Sequence, residues 1–179
     1  LYNTELKEIS GKTIKDELMD ILLNEFKIKF IKNNEFSDNL MKKVSLKMKK
    51  EVDKTLKILS ANKETNFKVD NLYEDQDFSV VINRNIIENC LNKHLDKIKN
   101  NIEEYLNENK YTLDNIDAIE VLGGISRIPI ITDYLNRIYT DKIFKTLDAE
   151  ETIAKGCTLY SCINSPKIQM KKYSIEKTI

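Results

Sequence analysis

Apolar residues recur at helical spacing through the first third of the chain. Ile14, Leu18, Ile21, Leu22 and Phe26 share one face of a helix expected over residues 13–31, with Thr13 and Asp16 spaced for a capping box. Asn33, Asn34 and Ser37 interrupt the pattern, and Ser37 is placed to cap a second helix reaching about Leu59. Met41, Val44, Met48, Val52, Leu56 and Leu59 form its apolar stripe. From residue 66 to 83 the period shortens to two. Phe67, Val69 and Asn71, then Phe78, Val80 and Ile82, alternate with their neighbours about a polar Tyr73-Glu74-Asp75-Gln76-Asp77 turn, which predicts a β-hairpin. A third helix is expected from about Arg84 to Asn107, with Ile87, Leu91, Leu95, Ile98 and Ile102 inward.

The next pattern is strand-like. Ala118 to Leu122 is a short apolar strand that runs into Gly123-Gly124-Ile125-Ser126-Arg127-Ile128-Pro129. Two of the chain's four glycines and one of its two prolines fall here. Glycines permit positive φ and close ligand approach, and proline suits a first helical turn, where no intrahelical amide bond is lost. A strand, glycines and a helix start in succession form a place where nucleotides bind. A fourth helix follows to about Tyr139, then an extended piece over Ile143–Leu147. Asp148-Ala149-Glu150-Glu151 reads as a cap for a fifth helix to about Asn164. Gly156 inside that helix suggests a closely packed neighbour, since glycine there costs ~1 kcal/mol relative to alanine. Pro166 ends it, and Ile168, Met170, Tyr173 and Ile175 suggest an extended tail.

Composition narrows the functional classes. With 29 basic and 29 acidic residues and a pI near 6.8, the charge balance speaks against a general nucleic-acid or membrane-surface binder. The lysines at 42, 43, 47, 49 and 50 read as the wet side of the second helix. Cys90, Cys157, Cys162 and the single His94 match no metal-ligand spacing, and no apolar run reaches the ~20 residues of a membrane span. Leu1 is not a methionine, so the sequence reads as a piece of a longer chain.

Asp53, Lys57 and Ser60 follow one another at i, i+4 and i+7, on a different face of the second helix from its apolar stripe. A solvated helix face is the plainer reading of that row. The order of elements and their motifs gives it another meaning.

Helix, helix, hairpin, helix, strand, Gly-Gly and two helices resemble the second lobe of the nucleotide-binding domain of the seventy-kilodalton heat-shock chaperones. Residues 121–129 resemble that family's adenosine motif, Ser10-Gly11-Lys12 its glycine turn before the first helix of the lobe, and Leu59-Ser60-Ala61-Asn62 the close of its second helix. Leu147 to Gly156 resembles its acidic helix start. Ser60-Ala61-Asn62, Gly156-Cys157 and Ile163-Asn164-Ser165-Pro166 are most similar to the large, 110-kilodalton branch, whose members act mainly as nucleotide-exchange factors and holdases.

The resemblance implies an α/β chain, α+β in its outer part, with the actin-like, ribonuclease H-like fold. An outer subdomain would occupy residues 1–116, an inner portion with the Gly-Gly loop 117–166, and a tail towards the interdomain linker 167–179. It implies ATP or ADP as ligand, the purine lying between Lys57 and Arg127. Asp53 stands at the ribose, Ser60 at the base, Gly123, Gly124 and Ile125 along sugar and phosphates, and Glu150 near the base. Mg²⁺, the phosphate loops and the catalytic lysine belong to segments before Leu1, so the piece alone is expected not to hydrolyse ATP, although the parent family does. Implied partners are another heat-shock chaperone and unfolded polypeptides, with no nucleic acid or membrane. The implied compartment is the cytoplasm, an endoplasmic-reticulum branch having similar motifs. Leu56 and Lys15 depart from the family pattern, Leu56 replacing a ribose-contacting lysine. An actin-fold kinase for small molecules is the alternative from the enzyme class.

Overall fold

Ser10 starts the first helix. Its hydroxyl accepts the Thr13 amide at 3.2 Å, satisfying one of the N–H groups left free at a helix start, and α1 runs Gly11–Phe30. This corrects the expected box at Thr13 and Asp16, because Thr13 already lies within the first turn. The computed structural model describes residues 10–30 and 37–168. Asn33, Asn34 and the tail positions Met170, Tyr173 and Ile175 fall outside them.

Helix α2 (Asp38–Ala61) opens where the sequence places it, with the Ser37 side chain accepting from Leu40 N at 3.3 Å. Ile14, Leu18, Leu22 and Phe26 of α1 are fully buried, as are Met48 and Leu59 of α2. Thr55 joins the buried face of α2 although it is polar, a position that an apolar stripe does not reveal.

Strands β1 (Glu64–Tyr73) and β2 (Gln76–Asn83) pair antiparallel. Glu74 and Asp75 between them both have positive φ, as the tightest hairpin turns require. The expected alternation holds at Phe67, Phe78 and Ile82 and fails at Asn71. Register shifts between Val69 and Tyr73, Asn71 takes φ 48°, and Leu72 occupies the inward position instead. The cause is a β-bulge, fixed by the Asn71 amide donating to Asp77 Oδ1 at 2.9 Å. Against the inner face of the hairpin, Phe26 meets Phe78 and Tyr73 edge-on at 5.9 and 6.0 Å.

The third helix is two helices, α3 (Arg84–Asn92) and α4 (Leu95–Glu108). At the break the His94 amide donates to Leu91 O, one residue nearer than an α-helical bond, at 2.8 Å. Leu91 and Leu95 are buried on either side, so the apolar spacing continues through the break and conceals it.

Strand β3 (Ile119–Glu120) lies parallel to β4 (Ile143–Phe144), each shorter than the strands expected over 118–122 and 143–147. Between them come the Gly123 turn, a 3₁₀ turn over Gly124–Arg127, and α5 (Pro129–Ile138), with Pro129 in its first turn. Ile128, Ile131, Leu135 and Tyr139 join the same buried cluster as α1, α2, the hairpin and α3, so α5 is anchored to the helical core. Helix α6 (Thr152–Asn164) has no buried residue. Contrary to the expectation at Gly156, no described atom beyond its chain neighbours and its own helix backbone lies within 4 Å of where its Cβ would stand. Among the described residues no helix is long and apolar enough to cross a membrane.

Candidate functional site

A cavity of about 710 Å³, within the range of small-molecule sites, opens between the start of α1, the second half of α2 and the glycine turn. Asp53, Lys57, Ser60, Gly123, Gly124, Ile125, Arg127 and Glu150 all line it. Residues some seventy positions apart in sequence thus face one space. The geometry follows from three local choices.

The first is the turn. Gly123 has φ 98°, a conformation disfavoured for side chains larger than hydrogen. The Ser126 hydroxyl and amide both donate to Gly123 O, at 2.7 and 3.2 Å, and Ser126 is buried. From the other side Lys145 Nζ donates to Ser126 O at 2.6 Å, and desolvation of that ammonium pushes its pKa down. Gly124 needs no special φ, and nothing lies within 4 Å of its Cβ position. Within the described chain, then, no contact requires glycine at 124; the space beside it belongs to the cavity.

The second is the turn ahead of α6, whose N-cap is Glu151 without a side-chain bond, so the expected cap at Asp148 instead closes the turn before the helix. Asp148 Oδ1 accepts the Glu150 and Glu151 amides, each at 2.8 Å, and these two bonds hold its carboxyl below the usual range. Upstream, Glu120 of β3 accepts the Leu147 amide at 2.8 Å and the Thr146 hydroxyl at 3.0 Å. The loop so fixed carries Glu150 to the cavity wall. Its Oε1 stands 3.0 Å from Arg127 Nη1 and 3.2 Å from Lys57 Nζ.

The third is the docking of α1. A Cβ on Gly11 would stand 3.4 Å from Ile125 Cγ1, so the helix start lies directly against the glycine turn. One turn further, Lys15 reaches Asp53, Nζ to Oδ1 2.5 Å. Leu56 beside them is 7% exposed and lines the same space.

The cavity therefore has an apolar middle and charged margins: Lys57, Arg127 and Glu150 at one side, Lys15 and Asp53 one turn of α2 away. Ser60 donates its hydroxyl proton to Lys57 O at 2.7 Å, which leaves its oxygen as an acceptor towards the cavity. Planar guanidinium and flexible ammonium suit the two faces of an aromatic base. Sequence reasoning missed Lys15 as a wall residue and Lys145 and Ser126 as supports of the turn. The i, i+4 step from Gly11 to Lys15 was the available signal for Lys15; for Lys145 the contact across nineteen residues has none.

Outside this cavity, Glu17 of α1 gathers a second polar group. Its carboxylate hydrogen-bonds the Cys90 thiol and lies 3.5 Å from His94 Nε2, supplying from another helix the acid that His94 lacks on its own. Burial, then this hydrogen bond, pushes the Cys90 thiol up to about 11, so the cluster is no thiolate nucleophile at neutral pH. No group of three or more His, Cys, Asp or Glu among the described residues is arranged to hold a metal ion.

The family model described as Hsp70 protein matches residues 3–178. Among curated relatives, heat shock protein hsp88 of Neurospora crassa is 29% identical over 97% of this chain and 24% of its own length. Heat shock 70 kDa protein 4L of Homo sapiens is 26% identical over 93% of the chain and 20% of its own length. Heat shock 70 kDa protein 14 of Arabidopsis thaliana is 26% identical over 89% and 19%. The chain spans a quarter or less of the length of these relatives. With a family match over nearly all its residues, the chain belongs to the Hsp70 protein family.

Proposed function

We propose that this chain is lobe II of the nucleotide-binding domain of a heat-shock chaperone and forms the adenosine half of an ATP or ADP site. The observation that carries the reading is the convergence of Lys57, Arg127, Ser60, Asp53 and the glycine turn on one cavity. In this reading the purine enters between Lys57 and Arg127, Ser60 faces the base and Asp53 the ribose. Gly123, Gly124 and Ile125 line the path of sugar and phosphates, and Glu150 stands beside the base. The open space at Gly124 fits such a ligand, because a side chain there would fill it. Phosphate loops, Mg²⁺ and hydrolysis belong to the other lobe of the actin-like fold. Residues 1–116 form the outer subdomain, 117–166 the inner portion and 167–179 the lead to the linker.

The parent is a cytoplasmic member of the large branch, acting as co-chaperone and nucleotide-exchange factor on a partner chaperone and holding unfolded polypeptides. Its support is the sequence likeness around Ser60 to Asn62 and at Gly156-Cys157, together with relatives named heat shock proteins. Titration of a fluorescent adenine nucleotide into the intact protein and its Arg127→Ala variant tests the site. Weaker binding by the variant is expected; equal affinity for both would remove the assigned pocket.

A further inference from the structure

Lys15 enters the cavity from a different helix than any of the residues assigned to the purine. The close contact of Gly11 with Ile125 sets the start of α1 against the glycine turn, and Lys15 lies one helical turn on, its ammonium 2.5 Å from Asp53 Oδ1. Both side chains are about half exposed. An ion pair so open to water adds little to fold stability and can exchange partners readily. At this level α2 offers Asp53 and the aliphatic Leu56, which has no hydrogen-bonding group. Lys15 is therefore a nearby charged donor to this end of the cavity.

The chemistry of the pair is that of a diol receptor. Each sugar hydroxyl has a proton to give and lone pairs to fill; a carboxylate takes the proton, and an ammonium with three N–H groups fills the lone pairs. Asp53 precedes Lys57 by one helical turn, about 6 Å along α2 at 1.5 Å per residue. That step suits a base held at Lys57 and a sugar reaching Asp53. Lys15 also neutralises a carboxylate that would otherwise stand bare beside a polyphosphate. We propose that Lys15 is a sugar-recognising residue of this site, donating to the ribose hydroxyl oxygens whose protons Asp53 accepts. The proposal rests on the adenosine reading above and adds to it a residue from α1 and a preference for ribose.

Affinities of the intact protein for adenosine, 2′,3′-dideoxyadenosine and ADP, measured for wild type, Lys15→Met, Lys15→Arg and Arg127→Ala, test it. Wild type is expected to favour adenosine over the dideoxy compound by about 10-fold or more, the worth of a charge-assisted hydrogen bond. Lys15→Met should bring that ratio within about 2-fold of unity while leaving dideoxyadenosine affinity unchanged, and Lys15→Arg should keep most of it. Should Lys15→Met lose its thermal transition, Lys15→Leu, which likewise has no donor, takes its place. An unchanged ratio in a folded Lys15 variant that lacks a donor overturns the proposal while leaving the adenosine reading intact, as does a loss confined to ADP, which would put the ammonium on phosphate. Wild type binding none of the three, or Arg127→Ala binding all as wild type does, overturns the adenosine reading and this proposal together.

Discussion

Glu150 Oε1 lies 3.0 Å from Arg127 Nη1, and the same oxygen lies 3.2 Å from Lys57 Nζ. The two nitrogens can therefore be no farther apart than the two distances added, roughly 6 Å, whereas a flat ring between two groups at van der Waals contact needs ~7 Å. A purine entering between these cations must open the carboxylate bridge. The Lys57 side is the easier to open: its ammonium contact is longer and its side chain is 67% exposed, against 35% for Arg127.

The consequence is a gain of affinity on removing a charge. Glu150→Gln is expected to bind adenine nucleotide up to ~5-fold more tightly, because an exposed pair is worth ~0–1 kcal/mol. Nucleotide titrations at low and high salt check this, with the advantage of the variant shrinking as salt screens the wild-type bridge. A loss of affinity would assign Glu150 to holding the bound base instead.

The two glycines should separate in experiment. Gly123→Ala places a side chain at φ 98° and is expected to lower stability by ~1–3 kcal/mol, visible as a reduced melting temperature. Gly124→Ala meets no atom within 4 Å and should melt like wild type. Its methyl group projects into the space proposed for sugar and phosphates, so nucleotide affinity is expected to fall ~10-fold or more, the cost of overpacking a close contact. Calorimetry and nucleotide titration on both variants give the comparison.

The positions of α1 and α2 were legible because one face of each is buried: in α1, Ile14, Leu18, Leu22 and Phe26 recur at the spacing that sequence displays. The break at His94 was not, since Leu91 and Leu95 remain in phase across it. Nor was the bulge at Asn71, which depends on a carboxylate six residues away. The candidate site residues rest on motif resemblance, with spacing alone describing Asp53, Lys57 and Ser60 equally well as a wet helix face. The three ion pairs that organise the cavity join separate elements, Lys15 to Asp53 and Glu150 to both Arg127 and Lys57, and no local pattern encodes such pairs.

The turn that presents Gly123 depends on Ser126. Its hydroxyl is bonded to Gly123 O in a buried setting, so Ser126→Ala is expected to cost ~1 kcal/mol in chemical denaturation and to weaken nucleotide binding by a few-fold through the loosened turn. A stability loss with no change in binding would show that the turn keeps its shape without this bond.

Acid should act through Glu17. Its carboxyl is held below the ordinary value of 4.5, chiefly by the Cys90 hydrogen bond, with His94 and Lys93 adding to it against the opposing effect of burial. A folded-state value below the unfolded one means that the unfolded chain binds the proton more readily. The contribution is therefore fully present above about pH 4.5 and is lost as pH falls through the folded-state value. Thermal melts from about pH 6 down to about pH 3 should show wild type losing stability in that window. Glu17→Gln should start lower and fall less steeply, retaining the part of the slope due to Asp77, Glu120 and Asp148, whose carboxyls are also held low by backbone amides.

The same cluster predicts an order of thiol reactivity. Cys90 is buried and its thiol is pushed up to about 11, whereas Cys157 is exposed on α6. Reaction with a thiolate-selective reagent depends on access and on the thiolate fraction. At about pH 8 Cys157 is expected to label first and Cys90 last by two orders of magnitude or more, since a thiol near 11 is only ~0.1% ionised there. Glu17→Gln removes the charge that opposes ionisation of Cys90 but leaves it buried, so labelling of Cys90 should quicken only modestly in the native protein. Mass spectrometry of peptides over a time course measures all of these rates. Equal labelling of Cys90 and Cys157 in folded protein would show that α3 does not cover the thiol against α1.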